Sequence, residues 1–591
     1  MDSTFFLIFR RMRTPLLALL VTYSIATIGL VVIPGQDEAG NVVHLSFFDA
    51  FYFISYTATT IGYGEIPYAL TGAQRIWVTF CIYATVIVWI YSIGSLIALL
   101  QDKTLQRAME EGRFSRRVGA VREPFYLICG YGQTGSGLVR ALTDRGQRAV
   151  VLDNNPDRIN QLKLENLREY VPALRADVRR PDSLLLAGLR RPNCRGVLAL
   201  TSDNEVNLRV ALASKLLQPS ATVICRADSH AVEANMASFG TDHIYDPFDT
   251  FALSFATALR SPCLTRLSEW LGEQRGSRLR EPTYPPAHGL WVLCGYGRFG
   301  KALYRHLREQ DIELVVIESR PERTGRPDCP LVEGPGTEAD TLEQADIHRA
   351  VGLIAGTDND ANNLSIVMTA KTLNPGLFMV VRENQLMNRE LFDVVNADIL
   401  MHPSLIVADR IRMLLATPLL TEFLNAARLE DDAWACELID RLAALVHDQA
   451  PEVWQVRIDA RDAYALFRLR PDEPLPRLGD LLRDPRDRGC RLPAMALLRK
   501  REHSRTLLPD PNDRLRDGDL LLFCGRPSAQ FSMRWTLQNA YALTYVLHGE
   551  SPPRGLVWAW LLRRRRERAA ARAATPPTAP RAPTPPPEDC G

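Results

Sequence analysis

FYLICGYGQTGSGLVRAL, Phe125–Leu142, has a near copy at Leu290–Leu307, LWVLCGYGRFGKALYRHL. Each reads as an apolar strand, a G-x-G-x-x-G turn and an amphipathic helix. A second strand follows each copy, RAVVLDNNP with Asp153 and IELVVIESRP with Glu318, and the first glycine stands 23 residues before the acid both times. Further on, ALTSDNEVNLRVALASK (Ala199–Lys215) parallels AGTDNDANNLSIVMTAK (Ala355–Lys371), and VICRAD (Val223–Asp228) parallels MVVREN (Met379–Asn384). Strands alternating with helices in this way predict a parallel doubly wound sheet, twice.

The chemistry that such a unit supports is phosphate and ribose binding. The glycines permit a tight turn and bring a pyrophosphate to a helix N-terminus, where free N–H groups favour anions. The acid ending the second strand can accept both ribose hydroxyls and repels a 2′-phosphate, which favours NAD or an adenine nucleotide over NADP. In the first copy the candidate contacts are Gly130, Gly132, Gln133, Thr134, Gly135, Asp153, Asp177 (in LRADV) and Arg226. In the second they are Gly295, Gly297, Arg298, Phe299, Gly300, Glu318 and Arg382. LVEGPG (Leu331–Gly336) leaves the second copy without an acid in the Asp177 slot, while Arg298 inside its glycine turn suits a phosphate.

Upstream the sequence changes character. Residues 14–36 and 76–101 carry no charge, and both runs are long enough to cross a bilayer. Arg10, Arg11 and Arg13 precede the first; Lys103, Arg107, Arg113, Arg116 and Arg117 follow the second. Positive charge marks the inner side, so both termini are expected in the cytoplasm. Between the spans, residues 45–59 are apolar and aromatic but too short to span, which predicts a re-entrant helix. It ends in TTIGYGE, Thr59–Glu65. Non-helical backbone at membrane depth is tolerated where it lines a water-filled path. Carbonyls of Thr60, Ile61, Gly62 and Tyr63, with the Thr60 hydroxyl, can replace an ion's hydration shell, and Gly64 completes the run. One chain supplies one wall, so a ring of chains is needed.

Span, short helix, TTIGYGE and span together resemble the pore of two-helix potassium channels, whose filter reads T-V/I-G-Y-G; Thr60–Gly64 matches throughout. Glu65 stands where the family usually has Asp. Within Ile76–Gln101 the one glycine is Gly94, nearer the cytoplasm than the family's mid-helix hinge. The repeats resemble RCK domains, found in potassium channels and in Trk-type uptake systems. DPFDTFALSFATAL (Asp246–Leu259) and HPSLIVADRIRMLL (His402–Leu415) look like that family's crossover helices. PRLGDLL, RLPAMALLRKRE and DRLRDGDLLLFCG, between Pro476 and Gly525, resemble its small β-rich lobe. The resemblance implies a homotetramer in the bacterial inner membrane, with a ring of eight RCK domains, potassium in the filter and NAD(H) or ADP/ATP at the repeats. Calcium is compatible with such a lobe, but no carboxylate cluster marks a position for it.

The expected fold is thus a membrane α-helical pore module followed by two α/β Rossmann-like domains and a small α+β lobe. The expected boundaries are pore 14–101, linker 102–123, first RCK domain 124–280, second 289–425, lobe 426–530 and tail 531–591. Composition agrees with folded material: of 591 residues, 46% are hydrophobic and 23% charged. Net charge is only +2, which argues against a nucleic-acid binder. The eleven cysteines stand singly with no CxxC, so thiols in a reducing compartment are expected. WAWLLRRRRER (Trp558–Arg568) and the Pro-rich end read as a solvated basic tail, with anionic lipid heads as an alternative. Two other classes stay open. A membrane-anchored NAD-dependent dehydrogenase would need a catalytic domain where the second repeat stands. A regulatory subunit of a separate transporter would not need Thr60–Gly64.

Overall fold

The computed structural model describes residues 2–37, 40–66, 68–273, 284–447, 449–469, 475–549 and 564. The chain divides into two compact units, Met1–Ile244 and Tyr245–Gly591. The Pro-rich tail and the basic run Trp558–Arg568, apart from Arg564, lie outside the described residues.

The first unit begins with helix α1, Asp2–Val32, in which Met12–Val32 is apolar enough to cross a membrane. The short helix α2 spans Phe47–Ala58, and α3, Gly72–Gln101, is the second candidate span. Residues 14–36 are not all helical: α1 stops at Val32, and Gly35–Gln36 pairs with Val42–Val43 as a small antiparallel ribbon. The three helices share a core of Ala26, Leu30, Leu45, Ala50, Ile54, Val78 and Cys81. Small residues let two helices approach closely. Here a Cβ on Gly29 would fall within 2.2 Å of the Trp77 ring, whose Nε1–H donates to the Ala26 carbonyl at 3.2 Å. Thr71 and Gln74 form a capping box that starts α3, and Gln74 Nε2 donates to the Ile33 carbonyl, tying the C-terminal end of α1 to the N-terminal end of α3. Large apolar side chains such as Leu20, Ile28, Ile76, Phe80 and Ile87 remain exposed.

The segment 102–123, expected as a linker, is a helix. Asp102 accepts from the Thr104 and Leu105 amides and so caps α4, Lys103–Ala120. The far end of α4 is docked: Phe114 and Val118 are buried in the core of the domain that follows. Its strands are β1 (Phe125–Cys129), β2 (Arg148–Asp153), β3 (Ala173–Arg175), β4 (Cys194–Ala199), β5 (Thr222–Arg226) and β6 (His243–Tyr245), in spatial order β3-β2-β1-β4-β5-β6. The β1-β2, β1-β4, β2-β3 and β4-β5 pairs are parallel. Helix α5, Gln133–Asp144, follows the glycine turn.

The second unit starts with helices α6 (Pro247–Arg260) and α7 (Pro262–Gly272). Its doubly wound sheet contains β7 (Leu290–Cys294), β8 (Glu313–Glu318), β9 (Leu331–Glu333), β10 (Ala350–Ala355), β11 (Phe378–Arg382) and β12 (Ile399–Met401), ordered β9-β8-β7-β10-β11-β12. Helix α8, Arg298–Arg308, follows the turn. The α6 face bearing Phe248, Ala252, Phe255 and Leu259 shares one core with Trp291, Phe299 and Leu303. The segment read as the first crossover helix is therefore packed on the second sheet. After α9 (Pro403–Ala416), α10 (Pro418–Ala427) and α11 (Asp432–Val446) comes an antiparallel sheet. It is formed by β13 (Glu452–Arg457), β14 (Ala494–Arg501), β15 (Ser504–Leu507) and β16 (Leu520–Gly525), in the order β13-β16-β14-β15. Asp519 is fully buried there and takes both oxygens to Arg501, at 2.7 and 2.8 Å.

Steric limits at the two turns give a stability test. A Cβ on Gly135 or Gly300 would lie 2.0 Å from the carbonyl oxygen of Gly130 or Gly295. Gly135→Ala and Gly300→Ala should each destabilise their domain by about 2 kcal/mol or more, because backbone must shift. Gly137→Ala, two residues along the same helix with open space around it, should be neutral or stabilise by up to about 1 kcal/mol. Thermal unfolding of the full chain in detergent checks the contrast.

Candidate functional site

At the first turn, Gly130 holds φ +105°, and a Cβ there would press on the Thr201 amide at 3.0 Å. Gly132 is the N-cap of α5, in extended conformation. Asp153, at the end of β2, is 3% exposed. Its Oδ2 accepts from the Tyr131 N–H at 2.6 Å, and its Oδ1 from the Asn155 N–H at 2.7 Å. Arg158 Nη1 stands 3.5 Å from the same carboxylate. The second turn repeats this. Glu318 Oε2 accepts from the Tyr296 N–H at 2.7 Å, and Oε1 from the Arg320 N–H at 2.9 Å. Both acids thus clamp the residue between the first two glycines, a role beyond the ribose contact read from the sequence.

Other expected residues divide. Asp177 is chelated by Arg179, with Nε and Nη2 at 3.0 and 2.9 Å, and this ion pair holds its carboxyl below the usual range. Register places Arg175 opposite Asp153 and Glu333 opposite Glu318, so the position matching Asp177 is Pro335, which has no acid. Arg226 is paired with Asp228 at 2.9 Å. Gln133 and Thr134 open α5, but Thr134 is only 2% exposed. Phe299 is fully buried in the core, so that position offers the turn its backbone rather than its ring.

The second turn opens into a cavity of about 520 Å³ lined by Gly295, Gly297, Glu318, Gly336, Thr357 and four arginines, Arg298, Arg320, Arg323 and Arg382. Arg298 and Arg382 stack over the Phe248 ring, at 5.6 and 4.7 Å from its centroid. Such a guanidinium-rich wall suits a polyanion. Arg320 and Arg323 were missed in the sequence, although DNNPDR laid over ESRPER sets Arg320 against Asn155 and Arg323 against Arg158.

A second missed pair closes the floor of each site. Asn207 is fully buried; its Oδ1 accepts from the Thr201 amide and hydroxyl, and its Nδ2 donates to the carbonyls of Thr201 and Arg226. Asn363 does the same with Thr357 and Arg382. All four bonds of the amide are used, which fixes the ends of β4 and β5, or of β10 and β11, where a ligand enters such sheets. The signal was present as the second Asn in DNEVN and the final Asn in DNDANN.

In the first unit, Thr60, Gly62 and Gly64 have φ of +63°, +65° and +74°. The Ile61 and Gly62 amides donate to the Tyr56 carbonyl at 3.0 and 3.2 Å. The Tyr56 hydroxyl donates to the Glu65 carbonyl at 3.0 Å, the Tyr52 hydroxyl donates to Glu65 Oε2 at 3.1 Å, and Tyr63 packs edge-on against Tyr56. The short helix thus braces the loop from behind while residues 60–66 stay exposed.

Residues 17–102 match the ion channel family, and residues 126–247 and 291–403 match the TrkA-N domain family, together a little over half of the chain. Potassium channel protein 1 of Methanocaldococcus jannaschii is 28% identical over 141 residues, 23% of this chain and 42% of that one. Voltage-gated potassium channel Kch of Escherichia coli is 27% identical over 186 residues, 31% of this chain and 43% of its own. The chain spans about two fifths of the length of these relatives. Among solved structures, a GsuK channel bound to NAD aligns over 90% of this chain and 99% of its own, at 16% identity and a TM-score of 0.45. The chain therefore belongs to the ion channel family in its first hundred residues and, twice over, to the TrkA-N family in the residues that follow, the domain order of a potassium channel with tandem RCK domains.

Proposed function

We propose that this chain is a potassium-selective channel, assembled as a tetramer in the bacterial inner membrane with both termini cytoplasmic, and gated by nucleotide binding to a ring of eight RCK domains. The observation that carries the reading is the filter loop. Left-handed backbone at alternate positions Thr60, Gly62 and Gly64 lets successive carbonyls turn to one side rather than alternate. Ile61 and Tyr63, 59% and 66% exposed in one chain, would meet neighbouring copies. A dehydrogenase or a transporter subunit has no use for this loop. Nucleotide would act by preferring one ring shape, and only its differential affinity counts. A 100-fold preference is worth about 2.7 kcal/mol per site, so four equivalent sites suffice to overturn a closed-state bias.

In reconstituted protein, reversal potentials in mixed potassium and sodium should show potassium selectivity; equal permeability would overturn the reading. Gly62→Ala, strained at positive φ, should abolish flux while leaving nucleotide binding intact.

The two sites are proposed to differ. The first offers Asp153 beside Arg158, the second four arginines around Glu318. Calorimetry on the full chain should show NAD or ADP/ATP binding more tightly than NADP at the first site, with Asp153→Ala weakening it at least tenfold. Gly132→Asp places a carboxylate where a phosphate would sit and should abolish nucleotide-dependent gating in single-channel records. Gly297→Asp should shift the midpoint. If both variants respond like the unmodified channel, the nucleotide hypothesis fails.

A further inference from the structure

Cysteines were expected as isolated thiols, yet Cys263 and Cys436 are joined, with Cα atoms 5.2 Å apart across 173 residues of sequence. Cys263 is the second residue of α7 and Cys436 lies in the second turn of α11. The two helices pack through Leu264, Leu267, Trp270 and Leu271 against Leu438, Ile439, Leu442 and Val446. The Leu264 N–H donates to Asp432 Oδ1 at 3.2 Å, a further tie between the helix starts.

Two observations set this pair apart from the buried cysteines. Both residues are half-buried rather than enclosed in a core. By contrast, burial pushes the thiols of Cys129, Cys225, Cys294 and Cys524 upward, with Cys225 and Cys294 at about 12. Thiols of that kind hold no thiolate to react. Finally, the helices are held together by their own apolar core, so the two sulfurs stay in reach whether or not they are bonded.

We propose that Cys263 and Cys436 form a site of reversible thiol–disulfide modification, oxidised by low-molecular-weight disulfides such as glutathione disulfide. The Cys263 thiolate attacks one sulfur of glutathione disulfide; its S–S bond breaks and one glutathione thiolate leaves. The Cys436 thiolate then attacks the mixed disulfide at the Cys263 sulfur, and the second glutathione thiolate leaves. Two cysteine thiols are oxidised, one exogenous disulfide is reduced, and the two protons end on glutathione. Oxidation covalently fixes α7, at the start of the second unit, to α11, the helix that leads into the antiparallel sheet. The site stands independently of nucleotide binding.

The full-length protein in detergent is equilibrated across ratios of reduced to oxidised glutathione, acid-quenched, alkylated and digested for mass spectrometry. The Cys263 and Cys436 peptides should lose alkylation together along one midpoint and appear as a single cross-linked pair, while Cys129, Cys225, Cys294 and Cys524 show no change. Cys263→Ser should leave Cys436 unable to cross-link and recoverable as a glutathione adduct. Three outcomes overturn the proposal. The cross-link could persist at every reducing ratio, which marks a permanent structural bond. Both thiols could remain alkylated at the most oxidising ratio. Metal analysis could find stoichiometric zinc that Cys263→Ser removes, which would make the pair, with Asp432, metal ligands.

Discussion

A carboxylate that accepts the amide proton of the tyrosine between two glycines shapes both doubly wound domains. Asp153 holds Tyr131 and Glu318 holds Tyr296, at 2.6 and 2.7 Å. Burying a charge is costly unless it is hydrogen-bonded, and each acid meets that condition with a second amide just beyond its own strand. The turn is thereby set before any ligand arrives. The close approach of Gly135 to Gly130, and of Gly300 to Gly295, belongs to the same turn.

On that shared frame the two copies have diverged. The first keeps Asp177, but spends it on Arg179; the second has Pro335 there and lines its cavity with arginines instead. The second also borrows from outside its own sheet. Phe248 of α6 provides the ring on which Arg298 and Arg382 rest, so the guanidiniums are positioned by a helix that precedes the sheet by some forty residues. Charge at the second site therefore depends on α6 staying docked.

Repetition and spacing made most of this legible. The doubly wound sheets follow from alternating strands and helices, and the acids from a constant 23-residue interval. Thr60–Gly64 could be read because its glycines fall at alternate positions between two uncharged runs. What escaped was side-chain partnership across long separations. Nothing in the sequence announces that Asp177 is paired with Arg179, and Asn207 reads as an ordinary helix residue until its four bonds are traced. Cys263 and Cys436 share no motif because helix packing, not spacing, brings them together. The helical character of residues 102–123 was obscured by their charge, since only Leu105, Phe114 and Val118 are buried along α4.

That helix has a mechanical meaning. Eighteen residues of α-helix make a rod of about 27 Å. One end is seated in the first RCK core by Phe114 and Val118, and the other begins one residue after α3 ends. A rod so anchored converts rotation into displacement: a tilt of roughly 10° at the seated end sweeps the other by about 5 Å. A slack tether would absorb such a motion. The single residue between the helices, Asp102, supplies its own side chain as the cap of α4, so the rod starts with its first amides already held.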